Sequence, residues 1–128
     1  MAKKKSIIAR MDTKARKIVR LRDECCQKCG EIYNLECAHI IIRRYYIARW
    51  DLWNLILLCR RCHGEFDSNP AAGMKWFQEK FPARFDYIAG LKIRRKSEIE
   101  RTRTWRDSDL KEIEDFLTEK LADLENNS

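Results

Sequence analysis

The sequence predicts a small α+β protein, mostly helical overall, knotted by cysteines near its middle. Three observations predict it. Four of the six cysteines fall into two Cys-x-x-Cys pairs, Cys26/Cys29 and Cys59/Cys62. Two short apolar runs, "LECAHIII" and "LWNLILLC", stand beside those pairs and suit short strands. The chain of 128 residues holds only 4 glycines and 2 prolines, so long stretches are free to be helical.

The elements follow in order. Residues 12–24, "DTKARKIVRLRDE", suit a helix. Ile18, Val19 and Leu21 are its only large apolar residues, so light packing and a basic face are expected. "CCQKCG" comes next, with Gly30 as the turn residue. "LECAHIII" is the first strand, and "RRYYIARWD" a loop rich in arginine and aromatics. "LWNLILLC" reads as a second strand or as the lead into a helix. "CRRCHGEFDS" is a short helix closed before Asn69-Pro70, and two more helices span 71–81 and 83–93, parted at Pro82. The stretch "KIRRKSEIERTRTWR" is basic and weakly periodic. Asp107 or Ser108 then caps a last helix that runs to about Leu124. Its apolar residues Leu110, Ile113, Phe116, Leu117, Leu121 and Leu124 keep helical spacing. Two readings of that stripe are open, packing on the core or the seam of a homodimer. The chain thus divides into a basic N-terminal arm or helix (1–24), a core with the paired cysteines of a metal knuckle (25–68) and a helical extension (69–128).

Charge narrows the partners. The formal net charge is +7, which favours a polyanion such as nucleic acid. Residues 1–24 carry nine Lys and Arg against Asp12, Asp23 and Glu24, whereas 107–128 carry eight acids against Lys111 and Lys120. No apolar run approaches the ~20 residues needed to span a bilayer. The start, "MAKKKSIIARMD", has no apolar signal region, so no membrane partner and a cytoplasmic location are expected.

Cysteines in a reducing compartment read as metal ligands rather than disulfides. Two thiolates in each Cys-x-x-Cys reach one ion from a tight turn, and four complete the tetrahedral shell of structural zinc. The alternative is four buried thiols packed as small hydrophobes. Cys25 and Cys37 stand outside the pattern. A closed four-sulfur shell would brace the fold and leave no open position for a substrate.

The two histidines of the chain, His39 and His63, bracket Asn54, and the second Cys-x-x-Cys stands directly before His63. Over Cys26 to Asp67 this pattern resembles the HNH nuclease family, in the variant braced by two Cys-x-x-Cys pairs. The frame "AHIIIRRYYIARWDLWNLILLCRRCH" is also similar to phage recombination proteins of the NinG (Rap) group. The resemblance implies a ββα-metal, treble-clef-like core and a DNA endonuclease leaving 5′-phosphate and 3′-hydroxyl ends. It makes His39 the general base. Asn54 would orient the connecting loop or His39, or touch the metal, and His63 would hold a catalytic Mg²⁺ or Mn²⁺. It also implies a phage origin and nicked, branched or single-stranded recombination intermediates as substrates, with nicking of duplex DNA as the nearest alternative. Chemically, phosphodiester hydrolysis needs a base for water and a cation at the scissile phosphate. A neutral imidazole suits the first task.

One position departs from the family. Many relatives place Asp or His immediately before the general base, and here that residue is Ala38. Asp67 is the expected substitute, being i,i+4 from His63 on one helix face. The plainer reading makes Asp67 a surface carboxylate, and a further alternative makes His63 a zinc ligand in place of a cysteine. Arg43 and Arg44, and Arg60 and Arg61 inside the second Cys-x-x-Cys, are the expected DNA contacts. The rival function is a non-catalytic zinc-finger protein that binds nucleic acid.

Overall fold

The computed structural model of the chain describes residues 2–41, 46–92 and 106–127. Arg43, Arg44 and the basic stretch 93–105 lie outside the described residues. The order of elements is α1 (Ala2–Asp23), β1 (Leu35–His39), α2 (Tyr46–Arg49), one 3-10 turn (Leu52–Asn54), β2 (Leu55–Cys59), α3 (Arg60–Ser68), α4 (Pro70–Lys80), α5 (Pro82–Lys92) and α6 (Asp107–Asn126). The strands β1 and β2 pair antiparallel, with Leu35 opposite Cys59 and His39 opposite Leu55. No helix among the described residues is long and apolar enough to cross a membrane.

All five residues of β2 are buried. Successive side chains of a strand point to opposite faces, so an unbroken apolar run needs cover on both. Leu55 and Leu57 pack with Ile7, Met11, Ile18, Leu110 and Leu117 from α1 and α6. Ile56 and Leu58 pack with Phe66, Phe77, Ile88 and Leu91 from α3, α4 and α5. The sheet is therefore the middle of three layers. The outer edge of β2 is closed as well. The Leu57 N–H donates to Asp23 Oδ2 at 3.0 Å, and its carbonyl accepts from the Gln27 N–H at 2.9 Å. The Leu55 carbonyl accepts from the guanidinium of Arg84 at 2.8 Å and from that of Arg22. Burial, followed by the neighbouring Arg22 charge, pushes Arg84 down to about 10.

Helix α1 corrects the expectation of a loosely held arm. It starts ten residues before the predicted position 12. Ile7, Met11, Ala15 and Ile18 recur in steps of four, four and three and form a buried stripe. Burying a side chain such as Met11 or Ile18 stabilises by about 2 kcal/mol. Leu21, expected in that stripe, is mostly outside it at 38% exposed. Helix α6 supplies the opposing surface, with Leu110 and Leu117 fully buried and Ile113, Leu121 and Leu124 partly so. The apolar stripe of α6 is thus used within the chain, except Phe116, which stays 55% exposed. The cap of α6 is Arg106, not Asp107 or Ser108: its backbone N–H donates to Asp109 Oδ2 at 2.8 Å. On the other side of the sheet α3 and α4 meet closely at Gly73, where a Cβ would lie 2.5 Å from the Phe66 ring.

One carboxylate locks α1 to α6. Glu114 is 1% exposed and accepts from Arg10 Nε at 2.7 Å, Lys14 Nζ at 3.1 Å and Lys111 Nζ at 3.3 Å. The Arg10 bond, foremost, and those to Lys14 and Lys111 outweigh burial and hold Glu114 at about 2, against 4.5 ordinarily. A depressed carboxylate contributes stability that is complete above its unfolded value and is lost as pH falls through the folded one. The full shift corresponds to about 3 kcal/mol, and the half-exposed Arg10 reduces it to about 2. Glu114→Gln should therefore lower stability by about 2 kcal/mol at pH 7 in urea titrations. The gap from wild type should narrow as pH drops from about 4.5 toward 2, and a gap independent of pH would contradict this account.

Candidate metal centre and histidine cleft

The two Cys-x-x-Cys turns meet where β2 runs into α3. Gly30 closes the first turn with φ of 85°, a left-handed backbone that glycine adopts without strain. Its N–H donates to the Cys26 carbonyl at 2.9 Å. The second turn opens α3: Cys59 is its N-cap and accepts from the Cys62 N–H at 3.5 Å. The helix thus aims its unpaired N–H groups and the positive end of its dipole at these sulfurs.

The sulfurs of Cys26, Cys29, Cys59 and Cys62 all lie within 4.8 Å of one another, so the cluster can hold a metal ion. The geometry passes a simple test. Sulfurs at about 2.3 Å from a tetrahedral ion stand about 3.8 Å apart, and Cys29 Sγ and Cys59 Sγ are 3.7 Å apart. Burial pushes the Cys26 thiol up, but backbone N–H groups of Cys29, Cys59 and Lys28 outweigh it and bring it to about 6. Burial and the crowd of sulfurs push Cys62 up to about 12. Four thiols packed together thus resist losing all their protons, and a dication at their centre is what reverses that resistance. The Arg61 guanidinium bonds the sulfurs of Cys29 and Cys62, which raise its pKa. Cys37 stands apart on β1, and burial pushes its thiol up to about 11.

Beside this centre a cleft of roughly 640 Å³ opens between α1 and the sheet. Both histidines line it, His39 from the end of β1 and His63 from the second turn of α3. Asp67 also lines it, one turn beyond His63, with His63 Nε2 3.6 Å from Asp67 Oδ2. The expected helix face is therefore present, although Asp67 is largely exposed.

Glu36 is the residue that sequence reasoning missed. Its Oε1 lies 2.8 Å from His63 Nδ1, and its Oε2 accepts from Arg60 Nε at 3.4 Å. The His63 bond, against burial, and then Arg60 hold the Glu36 carboxyl below its usual range. With a proton on Nδ1 donated to Glu36, the His63 Nε2 lone pair is left facing Asp67. The available signal was a carboxylate inside a strand, three residues before His39. The departure at Ala38 also gains a reason. Ala38 is 1% exposed among Ile56, Leu58 and Phe66, so a carboxylate at that position would enter the core instead of the cleft.

Asn54 is fully buried and takes one of its expected roles. Its Oδ1 accepts from the Ile41 N–H at 2.7 Å, and its Nδ2 donates to the carbonyls of Ile41 and Ala48, both at 3.1 Å. It ties the chain after β1 to α2. That task uses both Nδ2 and Oδ1 of the amide. Arg49 and Trp50 are both buried. Arg49 NH2 and Trp50 Nε1 both donate to Asp12, at 2.7 and 2.8 Å. Trp53 remains 47% exposed beside Tyr87. Arg60 and Arg61 are exposed at the mouth of the metal centre. No protein-family model, no curated protein and no solved structure matches the chain.

Elemental analysis tests the ligand set. Wild type and the Cys25→Ser and Cys37→Ser variants should each retain one bound metal per chain. Cys59→Ser should lose the metal and most of its helical circular dichroism, because such binding can contribute on the order of 10 kcal/mol. A metal-replete, folded Cys59→Ser would rule out the four-cysteine set.

Proposed function

We propose that the chain is an HNH-type DNA endonuclease, hydrolysing phosphodiester bonds with a divalent cation on a zinc-braced ββα-metal core. The observation that carries the proposal is that His39 and His63, distant in sequence, open on one cleft. Zinc is the ion proposed for the cysteines, since four thiolates at tetrahedral spacing suit it best. His39, at the end of β1, serves as the base that takes a proton from the attacking water. His63 Nε2 and Asp67 are the ligands proposed for Mg²⁺ or Mn²⁺. An imidazole and a carboxylate with the remaining positions left to water suit either ion, and the exposed Asp67 needs only a small rotation to close the 3.6 Å gap. The cation would neutralise charge building on the phosphate and on the leaving 3′ oxygen. Glu36 orients His63, and Asn54 fixes the segment that follows His39.

The basic surface and the HNH resemblance support DNA as substrate, with recombination intermediates ahead of intact duplex. The same cysteines and charge would serve a non-catalytic zinc-finger protein, and Ala38 is consistent with that rival. Activity separates the two. His39→Ala should lower cleavage by roughly 10²–10⁴-fold while DNA affinity and metal content at the cysteines stay unchanged. Glu36→Gln should raise the Mn²⁺ concentration needed for half-maximal rate, since it weakens the orientation of His63. Absence of divalent-dependent cleavage by wild type on single-stranded, flapped, branched and duplex DNA alike would leave the binding protein as the function. Equal cutting by His39→Ala would remove His39 as the base.

A further inference from the structure

The cleft has a second wall that the nuclease reading leaves without a task. It is built by α1, whose Arg16, Lys17 and Arg20 line the cleft across from His39 and His63. The cations of α1 from Arg10 to Arg22 fall into two groups. Arg10 and Lys14 close on Glu114, and Arg22 closes on Asp23. Arg16, Lys17 and Arg20 make no ion pair among the described residues, and all three are exposed. Arg16 bonds the Thr13 hydroxyl at 3.2 Å, which leaves its charge unneutralised. They stand on a helix whose other face is anchored in the core by Ile7, Met11 and Ile18, so their positions are held rather than trailing on an arm.

Between the walls the floor is apolar, with Ala15, Leu35 and Leu57. Fixed cations above an apolar floor suit a ligand with a charged backbone and flat, weakly polar faces. The volume of roughly 640 Å³ is that of a small-ligand cleft and is too small to enclose a duplex. We infer that Arg16, Lys17 and Arg20 grip the phosphates of a single nucleic-acid strand lying along the cleft between α1 and β1. The orientation of the strand toward His39 and His63 rests on the nuclease reading; the grip itself does not. It names the C-terminal half of α1 as the binding wall and gives single-stranded regions as the preferred substrate.

Binding without divalent cations tests this on the metal-replete protein, using fluorescence anisotropy of labelled oligothymidylate over roughly 50–300 mM salt. Two triple variants are compared. One is Arg16→Gln/Lys17→Gln/Arg20→Gln. The other removes the same charge elsewhere, as Lys75→Gln/Arg106→Gln/Lys120→Gln. Each lost contact to a single strand lowers the salt slope by about 0.7, so the first variant should lose about 2 from the slope and bind at least roughly tenfold more weakly. The second should keep the wild-type slope. Equal losses in both would mean that net charge alone governs binding and would overturn the inference. Tighter binding of a blunt duplex than of the strand, insensitive to the first triple, would overturn it as well. Cleavage is read separately with Mg²⁺ or Mn²⁺. A wild type that cuts nothing but keeps the slope difference removes the nuclease and retains the grip. Unchanged kcat/KM in the first triple removes the grip and retains the nuclease.

Discussion

Burial of Leu55–Cys59 on both faces is the constraint from which the rest of the molecule follows. A strand with no polar side for water needs a layer of helices above and another below, and a two-stranded sheet has no further strands to share the cover. That demand recruits α1 and α6 to one face and α3, α4 and α5 to the other. It also explains why charged groups cluster at the ends and edge of the strand. Asp23, Arg22 and Arg84 satisfy backbone groups of Leu55 and Leu57 that β1 does not reach, and a buried peptide group without a partner would cost about 1–3 kcal/mol.

The same strand aligns the two centres. Its last residue, Cys59, is at once a member of the sulfur cluster and the N-cap of α3. Three residues, Arg60, Arg61 and Cys62, separate it from His63, which lines the cleft. Its partner strand brings Glu36 to His63 and ends at His39. Register between the strands therefore governs the relation of His39 to His63. A slip by one residue would turn Glu36 away from His63 and exchange Ala38 and His39 between the two faces of the sheet. Asn54 guards that register by holding Ile41, just beyond β1, to the turn that starts β2.

Much of this was legible in the sequence because it is carried by local spacing. The paired cysteines, the strands, the breaks at Asn69-Pro70 and Pro82, and the helical stripe of α6 depend on residues a few positions apart. What was not legible depends on distant partners. The stripe Ile7–Met11–Ala15 sits behind Lys3, Lys4 and Lys5 and lacks bulk at position 15, so α1 looked like a basic arm; α6 is what makes those residues core. Glu36 was invisible for a different reason. In a strand a lone carboxylate reads as a solvent-facing residue, and only the placement of α3 brings His63 to it. Arg49 stands in a run of arginines and aromatics, yet Asp12, far away in sequence, claims it. The Asn54 amide could be read as ligand or as brace from its spacing alone, and only the fold shows it bonded to Ile41 and Ala48.

The lock between Glu114 and the pair Arg10 and Lys14 joins residues 104 and 100 positions apart. Contacts of such separation form late, since the intervening chain must first be brought together. As the polypeptide leaves the ribosome, α1 emerges before α6 and finds that partner surface only after α6 has emerged behind it. Until then Ile7 and Met11 lack the cover that α6 gives them. A chain cut short before α6 would carry both histidines, all four clustered cysteines and the basic wall, with the Ile7–Met11 end of α1 left without its cover.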